Sequence, residues 1–199
     1  MFLFFVLILF IIGCVGLVVY IIKRQNRLIK FYYDHFCQKY NLKVTAMGGT
    51  KLYDHPQISG VYQNRYLNII SYVAYRRRAS TIIEIGIGNT AKYDFAIFSP
   101  KDNCFYLSFK QEDRVKTNDE AFDKQFYIYS KVKPEQGFRV SAYLMNGLKK
   151  WPTHLPLKLY INGNALSTVV DQVVVSEKTA KLVEDLVVAM YQLAPALEL

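Results

Sequence analysis

The chain of 199 residues carries 25 Lys and Arg against 16 Asp and Glu, which gives a formal net charge of +9 at pH 7. Its three cysteines have no CxxC spacing and fit a reducing compartment, and its three single histidines lack the four-ligand pattern of a zinc site. The composition therefore predicts no bound metal.

The N-terminal segment is almost wholly apolar, because seventeen of its first 22 residues are Phe, Leu, Ile or Val. A helix of this length covers about 33 Å, and the hydrocarbon core of a bilayer is about 30 Å thick. Residues 1–22 are therefore predicted to form a transmembrane anchor. The alternative is a cleaved signal peptide with Gly13, Cys14 and Gly16 near the cut. Against it, no basic residue precedes the apolar run, and the run continues beyond the cut.

Basic residues follow the anchor, and none precedes it. The positive-inside rule then places the C-terminal domain in the cytoplasm and the N-terminus outside the inner (plasma) membrane. Residues 23–43 hold six basic residues and one acid, so they supply +5 of the +9, and the mild remainder does not predict nucleic acid. Contacts with the membrane surface are expected from Lys23, Arg24, Arg27 and Lys30.

Apolar residues recur with helical spacing after the anchor, at Ile29, Tyr33, Phe36 and Tyr40. Intervals of four, three and four residues place these side chains on one face of a helix. The pattern predicts a helix over residues 24–41 that prolongs the anchor as a basic juxtamembrane helix. This helix either packs on the domain or lies on the lipid.

The remaining residues, 44–199, are predicted to form one α+β domain in which a mostly antiparallel sheet packs with two or three helices. After a turn-rich stretch through Gly48-Gly49 and His55-Pro56, and around a charged loop at 110–121, strands are expected at 58–62, 66–75, 81–87, 93–99, 104–109 and 122–130. The first two are expected to pair around Gln63-Asn64-Arg65. A hairpin is expected from 157–161 and 165–175 about Asn162-Gly163-Asn164. Helices are expected at 134–149 and, after Ser176 as N-cap, at 177–194.

Three segments, at 59–67, 122–128 and 157–166, resemble the pattern of uncharacterised, membrane-anchored bacterial proteins of unknown function. The resemblance implies an apolar anchor followed by an α+β domain, and it implies no activity. Within the second segment, Asp123 is interpreted as a residue that closes a turn rather than as a catalytic carboxylate.

Two glycine-containing segments resemble nucleotide-binding motifs but lack the required context. Residues 86–91 match GxGxxA after a predicted strand, yet another strand is expected where a dinucleotide-binding fold needs a long helix. Residues 48–51 lack the glycine and lysine order of a phosphate loop. No cofactor is predicted.

No set of residues predicts a catalytic site. His35 and Cys37 are two residues apart on a helix and point to different faces. Asp54-His55 is interpreted as a turn, without a nucleophile beside it. The acidic residues in and beside the charged loop are expected to face water, and they are Glu112, Asp113, Asp119, Glu120 and Asp123.

Three adjacent arginines, Arg76, Arg77 and Arg78, are the sharpest charge feature of the domain. They predict a solvated loop first, a contact with lipid headgroups or an acidic partner second, and nucleic acid last. The whole sequence predicts a single-pass membrane-anchored binding or scaffolding domain that contacts partner proteins or anionic headgroups. A membrane-tethered enzyme of undescribed type and a secreted domain released by cleavage are the alternatives.

Overall fold

The computed structural model describes residues 2–49, 54–73, 79–88, 94–101, 109–117, 119–132 and 140–198. Within them the chain forms four α-helices: α1 Phe2–Tyr40, α2 Glu120–Gln125, α3 Ala142–Lys149 and α4 Glu177–Leu193. It also forms nine strands: β1 Lys43–Gly49, β2 Asp54–Tyr62, β3 Arg65–Val73, β4 Ala79–Gly86, β5 Phe95–Phe98, β6 Arg114–Val115, β7 Tyr127–Ser130, β8 Lys158–Asn162 and β9 Ala165–Val170.

Helix α1 is 39 residues long and runs without interruption from the anchor into the domain. It ends at Tyr40, because the next residue, Asn41, has a φ of 53° in the left-handed region. The Leu42 N–H then donates to the Cys37 carbonyl at 2.9 Å. This bond is the one that closes a Schellman motif, in which the chain leaves the helix sharply. The predicted helix over 24–41 is confirmed as the second half of α1.

The strands form a single antiparallel sheet in the order β1-β2-β3-β4-β9-β8-β5-β7-β6. Two tight turns set its register. At the β2–β3 turn, Gln63 and Asn64 both have positive φ, and at the β8–β9 turn Gly163 has a φ of 54°. Both hairpins are as predicted, because Asn64 and Gly163 are of residue types that tolerate the left-handed conformations that close two-residue loops. The α+β fold class is confirmed.

The core lies on one face of the sheet. Side chains directly opposite one another across the strands point to this face, including Ile58, Ile69, Ile83, Leu159 and Ile97, and each is fully buried. Helices α1, α3 and α4 contribute buried side chains to the same cluster. A second, small cluster of Ala96, Phe98 and Tyr129 covers the opposite face around β5.

Two predictions about the edges of the sheet are wrong. Lys43–Gly49 is an edge strand rather than a turn, and it pairs with β2 across a bulge between Val44 and Ala46. Asp54 and His55 accordingly lie in β2, opposite Gly49 and Gly48, and do not form a turn. Glycines and an irregular register hide the period-two pattern of an edge strand.

The predicted strand at 122–130 is also wrong in its first half. Asp119 accepts a hydrogen bond from the Phe122 N–H at 3.0 Å and so caps α2, and only Tyr127–Ser130 is a strand. Other predicted elements are present with different bounds. Helix α3 begins after Ser141, β9 ends at Val170, and most of the strand predicted at 104–109 lies outside the described residues. Ser176 is confirmed as the N-cap of α4.

Candidate functional site

The first half of α1 is an apolar helix that contacts little else. We call residues 2–22 the anchor segment; its residues from Phe4 to Ile21 are all exposed, with Phe10 at 69%. Among the described residues it is the helix long and apolar enough to cross a membrane, a property that N-terminal signal sequences share. An exposed apolar surface of this extent is typical of a segment that is covered by a membrane or by a protein partner.

The second half of α1 is seated in the domain. We call residues 23–40 the junction segment. Its four predicted stripe residues, Ile29, Tyr33, Phe36 and Tyr40, are at most 3% exposed and belong to the main core cluster. Of the two placements expected from the sequence, packing on the domain is the one observed. The anchor segment therefore continues into the core without a flexible linker.

Contacts along the junction segment fix its direction over the sheet. The Tyr40 ring packs edge-on against Tyr62 at 5.0 Å between centroids, beside the β2–β3 turn. Seven residues nearer the anchor, the buried Tyr33 hydroxyl lies beside the Ser71 and Thr81 side chains. From Tyr40 back toward the anchor segment, α1 therefore runs toward the end of the sheet at which Val73 pairs with Ala79. We call this end of the sheet its anchor end.

Polar contacts join the junction segment to α4. Glu184 accepts from Lys39 Nζ at 2.7 Å and contacts His35 Nε2 at 2.9 Å. Burial acts to raise the pKa of Glu184, but the hydrogen bonds with Lys39 and His35 outweigh it, and the pKa lies below its ordinary value. Because Glu184 is 149 residues from His35 in sequence, no spacing rule could have paired them.

The predicted membrane-surface residues Lys23, Arg24, Arg27 and Lys30 are all exposed on the junction segment. None of them makes an ion pair with another residue that the structure describes. Their charges are therefore free to meet an external anion. The arginines at 76–78 lie outside the described residues, between the strand ends Val73 and Ala79.

The remaining candidate residues do not converge on one place. His55, whose Nδ1 lies 3.3 Å from Ser71 Oγ, is on β2, the second strand in the sheet order, whereas the acidic loop flanks β6, the ninth. At about 4.8 Å between neighbouring strands, seven strand spacings correspond to roughly 34 Å measured along the sheet. Cys37 is half-buried, and burial, with Asp34 nearby, raises the pKa of its thiol. A thiol in this state is a poor nucleophile.

Several of the acidic residues expected to face water instead hold the local backbone. Asp113 accepts from the Lys110 N–H at 2.7 Å, and Asp123 accepts from both the N–H and the hydroxyl of Thr117 at 3.0 Å. Asp119 caps α2 and pairs with Lys149 at 3.1 Å. The interpretation of Asp123 as a structural residue therefore fits its contacts.

One ion pair that the sequence analysis missed closes the C-terminus onto the sheet. Arg65 donates to both carboxylate oxygens of Glu198, and the Gly88 N–H donates to the same carboxylate at 2.9 Å. The hydrogen bond with Arg65 is the main cause that lowers the pKa of Glu198 to about 2. This pair lies near the β2–β3 turn, at the end of the sheet opposite the anchor end.

Neither a protein-family model nor the sequence of a curated protein matches this chain. Among solved structures, the mycobacterial trehalose monomycolate transport factor A, TtfA, is similar in fold, with a TM-score of 0.53. The match covers 87% of this chain and 94% of the TtfA chain at 9% sequence identity. At this identity the likeness concerns the fold alone.

Proposed function

We propose that this protein is a single-pass membrane protein whose α+β domain is a binding or scaffolding module on the cytoplasmic face of the inner membrane. Its ligands would be partner proteins, anionic lipid headgroups or both. The observation that carries the proposal is the continuity of α1, which is apolar and exposed at one end and buried in the domain core at the other.

This continuity would hold the domain at a set distance from the bilayer. The anchor segment ends at residue 22, and Ile29 is already buried in the core. At 1.5 Å per residue, the rise between these points is about 10 Å. A domain held so closely presents one side to the headgroups, which suits a scaffold that must meet its partner in a fixed orientation.

The positive charges on residues 23–30 support headgroup binding. Lys23, Arg24, Arg27 and Lys30 are exposed there, and each cation near an anionic surface adds attraction on the order of 1 kcal/mol. Their position after the anchor segment also favours a cytoplasmic domain under the positive-inside rule.

We extend the headgroup surface to Arg76, Arg77 and Arg78. These residues are joined to Val73 and Ala79, the last described pair at the anchor end of the sheet. Val73 is two residues beyond Ser71, and Ser71 lies beside Tyr33 of the junction segment.

The fold neighbour favours one form of this function. TtfA is named as a trehalose monomycolate transport factor, which makes it an example of a similar fold in a protein named for transport. We propose by analogy that the present domain is an accessory that contacts a membrane-embedded or membrane-surface partner. The analogy carries over no substrate.

The test is to fuse a biotin ligase to the C-terminus at native expression and to identify the labelled neighbours. The ligase needs cytoplasmic ATP, so labelling above that of an unrelated single-pass anchor with the same ligase is the expected result. The enriched proteins would be the partners. An intact, stable fusion that labels nothing would place the domain outside and contradict the proposal.

Headgroup contact is tested with a dye on a single cysteine in the full chain, with the native cysteines replaced by serine. The dye at Arg77→Cys should be quenched by lipids that carry a quencher on an anionic headgroup. The matched control is the exposed Asn162→Cys at the β8–β9 turn, because the register places this turn beside Gly86, at the end of the sheet away from Val73 and Ala79. Equal quenching at the two positions would remove the arginines from the proposed surface.

A further inference from the structure

Strand β1 forms one edge of the sheet, and its outer side pairs with no strand that the structure describes. It is the longer of the two sheet edges, since β1 has seven residues and β6, at the other edge, has two. Residues 43–46 are all exposed, so no described element covers this part of the strand. An edge of this kind presents backbone N–H and C=O groups with which another extended chain can pair.

The register shows which backbone groups of β1 point outward. Met47 lies opposite Pro56 of β2. In a hydrogen-bonded antiparallel pair the two residues exchange both N–H···O bonds, and proline has no N–H to donate. Met47 and Pro56 are therefore a non-hydrogen-bonded pair, in which the N–H and C=O of Met47 point away from β2. The free edge of β1 thus carries a backbone donor and a backbone acceptor at Met47.

The features that protect a sheet edge from pairing are confined to the first half of β1. Lys43 is its one charged residue, and the bulge lies between Val44 and Ala46. From Ala46 to Gly49 the pairing with β2 is regular, and the sequence has neither a charge nor a proline. The strand ends in two glycines, which allow the close approach of a second backbone. The second half of β1 is therefore open to pairing.

A second copy of the chain does not fit this edge. Two copies that joined through β1 in a closed dimer would pair antiparallel, so their sheets would point in opposite directions. Helix α1 runs along the sheet, from beside Tyr62 to beside Ser71, and it would be reversed together with the sheet. The two anchor segments would then leave the dimer at opposite ends, and one bilayer could not hold both.

We propose that β1 binds an extended segment of a partner protein, which adds to the sheet as a further strand. Backbone hydrogen bonds with Met47 would contribute affinity, and side chains at alternate positions would contribute specificity. Val44 lies opposite the buried Ile58 and so points to the core face, yet it is 49% exposed. The partner strand should therefore place an apolar residue beside Val44. The inference rests on the proposed function, because it gives the scaffold domain a mode of partner binding.

The test is photo-cross-linking of the full chain at native expression in its native cells. The photoreactive residue p-benzoylphenylalanine replaces Val44, and in a matched control it replaces Val188 of α4, which is 52% exposed. Two changes are combined with the probe at Val44: Met47→Pro removes the outward N–H, and Met47→Leu keeps it. Gly48→Pro is added for urea unfolding only, because the alternation of pairs makes Gly48 a hydrogen-bonded partner of β2.

A cross-link from Val44 to one segment of a partner protein is expected, well above that from Val188. Met47→Pro should weaken it about fivefold, as expected for one lost hydrogen bond, and Met47→Leu should leave it unchanged. The midpoint of urea unfolding should fall for Gly48→Pro and not for Met47→Pro, because proline is tolerated where the N–H faces solvent.

Three results would overturn strand addition at β1: equal cross-linking from Val44 and Val188, a cross-link between two copies of the chain, and a cross-link that Met47→Pro leaves unchanged. A midpoint that Met47→Pro lowers as much as Gly48→Pro would show that the Met47 N–H is already paired, and would overturn the open edge. Biotin labelling from the C-terminal fusion does not depend on this edge. Labelling that persists would therefore separate a failure of the edge from a failure of the proposed function.

Discussion

The two halves of α1 are both rich in large apolar residues, yet they meet different surroundings. From Phe4 to Ile21 every residue is exposed, whereas Ile29, Tyr33, Phe36 and Tyr40 are almost fully buried. The anchor segment is apolar on all sides, and the junction segment is apolar on one stripe with charges on the rest. The distribution of apolar residues around the helix, rather than their number, thus distinguishes a segment suited to lipid from one suited to a protein core.

The largest effect should come from truncating the buried half. Phe36→Ala removes a ring that is 0% exposed, and such changes cost about 3–5 kcal/mol because they leave a cavity. The measurement is thermal unfolding of the full chain in detergent, followed by Trp151 fluorescence. Phe10→Ala in the anchor segment is the control and should leave domain unfolding unchanged. A similar loss of domain stability in both variants would contradict the difference between the two halves of α1.

A charge in the exposed half should act on insertion rather than on folding. Val15→Lys places a cation in the middle of the anchor segment, and a central Lys disfavours insertion by about 2.5–3.5 kcal/mol. The inserted fraction is measured in a cell-free membrane assay, with Val15→Leu as the control. If the lysine variant inserted as well as the leucine variant, the anchor segment would not be the part that enters the bilayer.

A smaller effect is expected where the junction segment meets α4. The pKa of Glu184 is lowered in the folded protein, so its contribution is present above its ordinary pKa and is lost as pH falls through the lowered value. Glu184→Gln should therefore cost about 1 kcal/mol at pH 7 and less in acid. Unfolding by urea between pH 7 and pH 3 tests this, with Glu120→Gln at an exposed position of α2 as the matched control.

The smallest effect concerns a phenol that the core leaves unpaired. The Tyr40 hydroxyl is buried without a hydrogen-bond partner among the described residues, so Tyr40→Phe should leave stability unchanged or raise it by up to about 1 kcal/mol. Tyr191→Phe, which removes the bond to the Tyr62 carbonyl, should instead lower it by about 1 kcal/mol. Both are measured by urea unfolding. A clear loss for Tyr40→Phe would show that its hydroxyl is paired.

Local periodicity accounts for what could be predicted. The stripe of the junction segment and the turns at Gln63-Asn64 and Gly163 are encoded within a few residues, and the structure has them. The strand β1 and the helix α2 were missed, because an irregular edge register and the cap at Asp119 outweigh the apolar pattern.

The contacts of the candidate site and between the helices depend on the whole fold. The pairing of His35 with Glu184 and the meeting of Gly147 with Leu193 join residues from opposite ends of the sequence or from separate helices. Neither pair follows from sequence spacing, because the strand order and the packing of the helices bring the two residues of each pair together.

The strand order has a consequence for how the protein is made. Strand β9, near residue 170, is the element that joins β1–β4 to the rest of the sheet, and Glu198 then bonds to Arg65. A ribosome releases the chain from the N-terminus, so the anchor segment emerges long before this central strand exists. Strands β1 to β4 can pair with one another in chain order, but the free edge of β4 must wait for β9, and non-local pairing of this kind is slow. An apolar helix that is long enough to cross a membrane is therefore synthesised well before the domain can be completed.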